Sequence, residues 1–227
     1  MDTLSPAQSV ELISTALEKA RSCRDEQSRA EALVSLAPHL SLGQIAEALA
    51  AARAIGDKWG RAQALGSLAP HLSPEQMAEA LAAAKAIGDE WSRAQALGSL
   101  APHLSPEQMT EALAAAKAIG TEWSRAQALG SLAPHLSSQQ IAEAFAAAKA
   151  IGDEGTRVRA LGSLAPYVPP IQYTTLLDSL VQAAARLPRN QALEAISAFI
   201  NISAAFGGAE ALEGIHRAIT DTARWYP

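Results

Sequence analysis

A unit of 32 residues recurs through most of this chain of 227 residues. Five copies follow one another without an insertion, at residues 9–40, 41–72, 73–104, 105–136 and 137–168. The third and fourth copies differ at only two positions, where Thr110 replaces Ala78 and Thr121 replaces Asp89. A regular repeat of this length predicts stacked supersecondary units, each of which packs mainly on its neighbours.

Each copy carries the start signal of a first helix. In the third copy Ser73 is a favourable N-cap, Pro74 occupies a position that needs no N–H donor, and Gln76 completes a capping box. The run that follows has an apolar face at helical spacing, formed by Met77, Leu81, Ala84 and Ile87. Gly88 is placed for a left-handed turn that ends the helix.

A second helix is predicted directly after that turn, with Asp89 as its N-cap. Its apolar side carries Trp91, Ala94, Leu97 and Leu100. A glycine inside this helix recurs in four copies, at Gly66, Gly98, Gly130 and Gly162, and indicates close contact with a neighbouring backbone. Pro102 is expected to push Ala101 out of the α region and to end or kink the helix there.

The two ends of the array depart from the repeat. The first helix starts at Ser5-Pro6 and is about one turn longer than its equivalents, as suits a capping unit. After Val168 the pattern breaks, and residues 169–227 are predicted to form three helices, near 171–187, 190–205 and 209–225. The predicted fold is all-α: residues 1–168 form a right-handed α-solenoid of five helical hairpins, and 169–227 form its C-terminal three-helix cap.

Composition narrows the classes of partner. Hydrophobic residues make up 49% of the chain and aromatic residues only 4%, so Ala and Leu dominate the apolar content. The formal net charge of −5 argues against a nucleic-acid partner. The single cysteine, Cys23, excludes an internal disulfide, and neither a signal peptide nor a membrane span is evident. A cytoplasmic protein without membrane or nucleic-acid partners is expected.

Two resemblances follow from the repeat. Leu65-Gly66 with Ala78 twelve residues later, repeated by Leu129-Gly130 with Ala142, resembles the Leu-Gly and small-residue positions of tetratricopeptide repeats. The unit is shorter than the usual 34 residues, lacks the usual tyrosine and has Lys85 where a small residue is expected. Despite these differences, the resemblance implies the architecture of tetratricopeptide-like or HEAT-like α-solenoids.

Strings such as AEALAAARAIGDKWGRAQALGSLAPHL, and the closing AITDTARWYP at 218–227, resemble the C-terminal repeats of bacterial signalling NTPases of the STAND or NACHT type. In such proteins the array is the sensor, joined to a nucleotide switch and an effector. This sequence contains no phosphate-binding GxxxxGK[ST] motif. The resemblance therefore implies the sensor part alone.

Several side chains recur as rows, one per copy. The turn histidines His39, His71, His103 and His135 lie a repeat apart, too far for one zinc ion, so bonding to a helix-end carbonyl is favoured over a metal site. His216 receives no role. A SxxxH pattern that recurs in four copies is typical of a structural repeat, so no catalytic residue, metal site or cofactor is assigned.

Two other rows are the candidate partner-binding residues: Arg61, Arg93 and Arg125, and Trp59, Trp91 and Trp123. Local pairing, as of Arg93 with Asp89 and Glu90, or bonding between repeats is favoured for the arginines over binding of acidic or phosphorylated ligands. Wedging between hairpins is favoured for the tryptophans over a binding hot spot. A row of glutamates is expected to be a solvated stripe, at Glu47, Glu79, Glu111 and Glu143.

The leading functional hypothesis is a non-catalytic scaffold or sensor that binds a protein or peptide through many weak, evenly spaced contacts. The alternative is structural, because nearly identical copies can also stack between chains and give a homo-oligomer or filament. A consensus-like or engineered array is the third reading, suggested only by the near-identity of the copies.

Overall fold

The computed structural model describes residues 6–169 together with residues 175, 176, 178, 179, 182, 186 and 187. Over these residues the chain is helical and contains no strand. The predicted helices near 190–205 and 209–225, together with His216, lie outside the described residues, and only scattered positions of the one near 171–187 fall within them.

Within the described part of the chain, a first and a second α-helix follow each other in turn, and the pair recurs with the period of the 32-residue repeat. The first helices of successive copies are α1 (Pro6–Ser22), α3 (Leu42–Arg53), α5 (Pro74–Lys85), α7 (Pro106–Lys117) and α9 (Ser138–Lys149). The second helices are α2 (Glu26–Leu36), α4 (Lys58–Leu68), α6 (Glu90–Leu100), α8 (Glu122–Leu132) and α10 (Glu154–Leu164). A 3₁₀ turn follows each second helix, at Ala37–His39, Ala69–His71, Ala101–His103, Ala133–His135 and Ala165–Tyr167.

The chain divides into two compact units, Met1–Ala115 and Ala116–Pro227. In the first unit each first helix packs on the second helix of its own copy, and the second helices α2, α4 and α6 pack side by side. In the second unit α9 packs on α10, and α10 packs on α8. Packing of consecutive helices confirms the prediction of an all-α helical repeat; the handedness of the superhelix and the number of hairpins stay predictions.

The predicted helix starts are confirmed. The Ser73 hydroxyl accepts from the Gln76 N–H at 3.3 Å, and the Gln76 side chain accepts from the Ser73 N–H at 2.9 Å, which is a complete capping box. Asp89 accepts from the Ser92 N–H at 2.7 Å at the start of the second helix. The first helix α1 has 17 residues, against 12 in its equivalents, as its position at the array's end predicts.

The prediction of a left-handed Gly88 is wrong, because Gly88 does not have a positive φ. The last turn of α5 tightens instead: the N–H of Ala86 bonds to the Ala82 carbonyl and the N–H of Ile87 to the Ala84 carbonyl, each at 3.1 Å. The Ile87 carbonyl then accepts from the Arg93 side chain. These bonds occupy the carbonyls that a left-handed cap would otherwise serve.

The prediction that Pro102 forces Ala101 out of the α region is also wrong. Ala101 has φ −48° and ψ −44°, well inside that region. The proline lies in the first turn of a 3₁₀ helix, where its fixed φ fits, and the N–H of Leu104 closes the turn on the Ala101 carbonyl at 3.3 Å. The α-helix nevertheless ends at Leu100, as predicted.

The recurring glycine allows the second helices to approach one another closely. A Cβ at Gly66 would lie 2.7 Å from the Ser99 Cβ in the next copy, and one at Gly130 would lie 2.8 Å from the Ser163 Oγ. The facing residue is thus the serine that follows the equivalent glycine in the next copy. A close approach is thus present at both positions, but the prediction of contact with a neighbouring backbone is wrong, because the nearest atoms belong to a serine side chain.

We predict that Gly66→Ala destabilises the array although alanine favours a helix by about 1 kcal/mol over glycine. The added methyl overlaps the Ser99 Cβ, which cannot rotate away, so α4 and α6 must separate at a net cost of about 1–3 kcal/mol. Denaturant unfolding followed by circular dichroism measures the change. Gly162→Ala is the matched control, because nothing among the described residues lies within 4 Å of its Cβ and it should stabilise; equal effects of the two substitutions would contradict the contact.

We also predict that acid weakens the second-helix caps. Hydrogen bonds from the Ser92 side chain and backbone hold the pKa of Asp89 below its usual 3.8. Because the folded pKa is lowered, the stabilisation is complete above the unfolded value and is lost as the pH falls through the folded one. Asp89→Asn, which can still cap but does not titrate, should reduce the loss of stability between pH 7 and pH 3; an unchanged loss would refute the assignment.

Candidate functional site

The arginine row bonds to the chain's own backbone. In each copy the guanidinium donates to the carbonyl six residues earlier, just beyond the end of the first helix: Arg61 Nε lies 2.7 Å from the Ile55 carbonyl, Arg93 Nη1 3.2 Å from that of Ile87, and Arg125 Nη1 3.0 Å from that of Ile119. A cation at this position also interacts favourably with the negative end of the first helix. Arg29 and Arg157 make the same bond to the carbonyls of Cys23 and Ile151.

Local ion pairs complete the arginine environment. Arg93 lies 3.5 Å from Glu90 and Arg125 lies 3.7 Å from Glu122, and the two arginine side chains are only 22% and 20% exposed. The prediction of local pairing is confirmed for Arg93 and Arg125. A role of Arg61, Arg93 and Arg125 in binding a partner stays a prediction, and truncating them would also remove the bond from the second helix to the turn after the first.

The glutamate row is exposed but is more than a solvated stripe. Each carboxylate pairs with a basic residue in the last turn of the preceding first helix, as Lys85 does with Glu111 at 2.8 Å and Lys117 with Glu143 at 3.0 Å. Arg21 pairs with Glu47, and Arg53 with Glu79, in the same register. Exposed pairs of this kind contribute roughly 0–1 kcal/mol each. They join one copy to the next, a partnership that the composition of a single copy does not reveal.

The tryptophan row lies on the surface. Trp59, Trp91 and Trp123 are 37%, 39% and 42% exposed, although each comes from the second residue of a tightly packed second helix. The rings of Trp59 and Trp91 stack with their centroids 4.5 Å apart and their planes 26° apart. The stack joins two copies, as a wedge would, yet it leaves indole surface open to a partner.

Trp123 makes a different contact in the second unit. The guanidinium carbon of Arg159, an exposed residue of α10, lies 5.8 Å from the centre of the Trp123 ring. This is the distance of a cation–π interaction. An indole of the tryptophan row is therefore able to take a guanidinium group on its surface.

An open groove lies beside the tryptophan stack in the first unit. It encloses about 410 Å³ across α2, α4 and α6. The lining residues are Glu31, Val34, Ser35, Gln63, Gly66, Ser67 and Ser99. Gln63 follows Trp59 by one helical turn, so groove and stack form one surface. We call this surface, composed of Trp59, Trp91 and the groove, the second-helix face.

Sequence reasoning missed one recurrent bond between copies. The Glu26 carboxylate accepts from the N–H groups of Gly56 and Asp57, at 2.8 and 2.6 Å, in the turn of the next copy. Glu122 makes the same pair of bonds to Gly152 and Asp153, at 2.6 and 2.8 Å. These bonds hold the pKa of Glu122 below its usual value of 4.5. We call this arrangement the carboxylate clamp.

The clamp explains the turn glycine better than a left-handed cap does. A Cβ at Gly56 would lie 2.7 Å from Glu26 Oε1, and one at Gly152 would lie 3.0 Å from Glu122 Oε1. Glycine therefore makes room for the carboxylate. The only available signal was the spacing of a glutamate 30 residues before the glycine, and it is recognisable only once the copies are known to stack.

The described residues contain no group of three or more His, Cys, Asp or Glu side chains that could hold a metal ion. His39, His103 and His135 are exposed, and His71 is partly exposed. Among the described helices, none has the length and apolar character needed to cross a membrane. No protein-family model and no curated protein matches the chain.

We predict that Lys58→Glu stabilises the array. Lys58 occupies the clamp position of the second copy, where it cannot accept the N–H groups of Gly88 and Asp89. A glutamate there would be followed by a tryptophan, as Glu122 is, and would find open space at the next turn, since nothing lies within 4 Å of a Cβ at Gly88. The midpoint of thermal unfolding should rise at pH 7.

Lys58→Gln is the control, because it removes the positive charge but accepts the two N–H groups less strongly than a carboxylate. The gain of the glutamate variant over the glutamine variant should disappear in acid, when the clamp carboxylate is protonated. A glutamate variant no more stable than the glutamine variant at pH 7 would show that the clamp does not form in this copy.

Proposed function

We propose that this chain is a non-catalytic module that binds a protein or peptide on its second-helix face. The observation that carries the proposal is the stacked, exposed pair Trp59 and Trp91. Tryptophan is among the residues that contribute most to binding when a partner covers it. The exposed part of the two rings contributes no burial energy to the fold. A partner that covers it would gain the free energy of burying apolar surface.

The groove supplies what an extended chain needs next to that apolar anchor. Gly66, Ser67 and Ser99 are small, so a bound backbone can come close to the helices. The exposed Gln63 amide has both donors and an acceptor, which match the alternating N–H and C=O groups of a peptide. The face is built from three consecutive copies, so an extended ligand would meet similar contacts at regular intervals.

The internal bonds of the arginines also favour this face. Their guanidinium groups already serve backbone carbonyls and neighbouring glutamates, so the tryptophan row is the more available part of the candidate partner-binding residues. These bonds leave fewer guanidinium donors for an acidic or phosphorylated ligand.

The resemblance to the C-terminal repeats of bacterial STAND or NACHT signalling NTPases gives this binding a context. In that context the module is a sensor: its ligand would be the signal, and a separate switch would respond. The proposal of a sensor rests on the resemblance of the repeats alone, and the binding test below does not depend on it.

Stacking between chains is the alternative, and the first copy argues against it. In the first copy, Thr15 stands at the position equivalent to Glu47 of the glutamate row. Arg24 stands at the position equivalent to Gly56 of the carboxylate clamp. A copy from another chain that approached the first copy would therefore find neither the carboxylate for its basic residue nor the space for its clamp glutamate. Head-to-tail growth would lose two of the bonds that join copies within the chain.

The proposal predicts that an arrayed library of extended peptides contains ligands for the folded chain, and that Trp59→Ala with Trp91→Ala weakens them. Loss of two covered tryptophans should cost at least about 2 kcal/mol, or roughly thirtyfold in Kd. Fluorescence anisotropy of labelled peptides measures Kd, and circular dichroism verifies helicity.

Leu42→Ala is the matched control, because Leu42 is 86% exposed on a first helix and its truncation removes apolar surface elsewhere. It should leave binding unchanged. A library without ligands for the folded chain, or equal losses in the control and the tryptophan variant, would refute the proposal.

A further inference from the structure

The contact of Arg159 with Trp123 shows what an uncovered indole of this row can accept. The guanidinium lies over the ring, within the roughly 6 Å at which a cation–π interaction is significant. Arg159 belongs to the copy that follows Trp123 and comes 36 residues after it. In the second unit the chain thus supplies a cation to its own tryptophan.

The first unit has the same indole position without that cation. The residue 36 positions after Trp59 is Gln95, which carries no charge. Trp59 is instead stacked on Trp91, and both rings stay partly exposed. A planar guanidinium stacks on such a surface more effectively than a compact ammonium does.

The groove next to the first-unit stack presents a negative charge to a ligand. Glu31 is the charged residue among those that line the groove; it is exposed, and one of its carboxylate oxygens accepts from Gln27 Nε2 at 3.0 Å. The basic residue next to Trp59 is Lys58, and its charge acts on Asp89. Among the residues that line the groove, the charge that a ligand would meet is therefore that of the Glu31 carboxylate.

From these observations we propose that the second-helix face recognises an extended peptide with an arginine side chain, whose guanidinium stacks on the Trp59–Trp91 pair and whose charge is balanced by Glu31. The peptide backbone lies along the groove floor at Gly66, Ser67 and Ser99. The inference rests on the proposed function and adds the chemical class of the ligand.

The test uses peptides selected from the library with the full chain, each synthesised in two forms: with arginine, and with citrulline, which keeps the shape and loses the charge. We expect the arginine form to bind about fivefold to thirtyfold more tightly at low salt, as one or two favourable charged contacts would give. The ratio should fall as salt is added, because exposed charges are screened.

Two variants locate the effect. Glu31→Gln should lower the arginine-to-citrulline ratio and leave the affinity of the citrulline form unchanged, since glutamine still accepts a hydrogen bond at that position. Glu18→Gln removes the same charge from the exposed part of a first helix and should change neither. Trp59→Ala should weaken both forms.

Equal affinity of the arginine and citrulline forms would overturn the inference while the peptide-binding function stands. An unchanged ratio in Glu31→Gln would overturn the role of that carboxylate. Absence of any selected peptide would instead refute the proposed function itself, so the two failures are distinguishable.

Discussion

The close approach of successive second helices is the constraint on which the rest of the structure depends. Glycine at Gly66 allows α4 to meet Ser99 of α6 at a distance that any side chain would prevent. That approach sets the spacing of the copies, and the spacing brings the centroids of Trp59 and Trp91 to 4.5 Å. The same small residues form the floor of the groove. One helix contact therefore places the packing, the aromatic stack and the candidate binding surface.

Polar bonds between copies then fix the register that apolar packing leaves loosely defined. Leucine and alanine side chains can pack in several alignments, whereas the Glu26 carboxylate must meet the two N–H groups at Gly56 and Asp57. The ion pair of Lys85 with Glu111 likewise joins one copy to the next, between successive first helices. Each bond is exposed and modest in strength, but all favour one alignment. The arginine bond to the turn carbonyl does the same within a copy.

The sequence predicts interactions between residues that are close along the chain, and it does not predict those that depend on how the elements pack. Helix starts depend on residues three apart, so the capping box of Ser73 and Gln76 could be recognised within a single copy. The way the first helix ends could not be recognised in the same manner, because the Ile87 carbonyl accepts a hydrogen bond from Arg93, which lies beyond the turn. The exposure of Trp91 was likewise hidden, since its position on a helix does not state which neighbour covers it. Bonds between copies need the stacking geometry, which no single copy contains.

The arginine and tryptophan rows differ in how far bonds within the chain already occupy them. The arginine row meets carbonyls in every copy, so its recurrence follows from the recurring turn and requires no ligand. The tryptophan row behaves differently. It is absent from the first and fifth copies, where Gln27 and Gly155 stand, although the hairpins there fold in the same register. Where the tryptophans are present, Trp59 and Trp91 stack across two copies and still keep exposed indole surface, so this row can join copies and remain available to a partner at the same time.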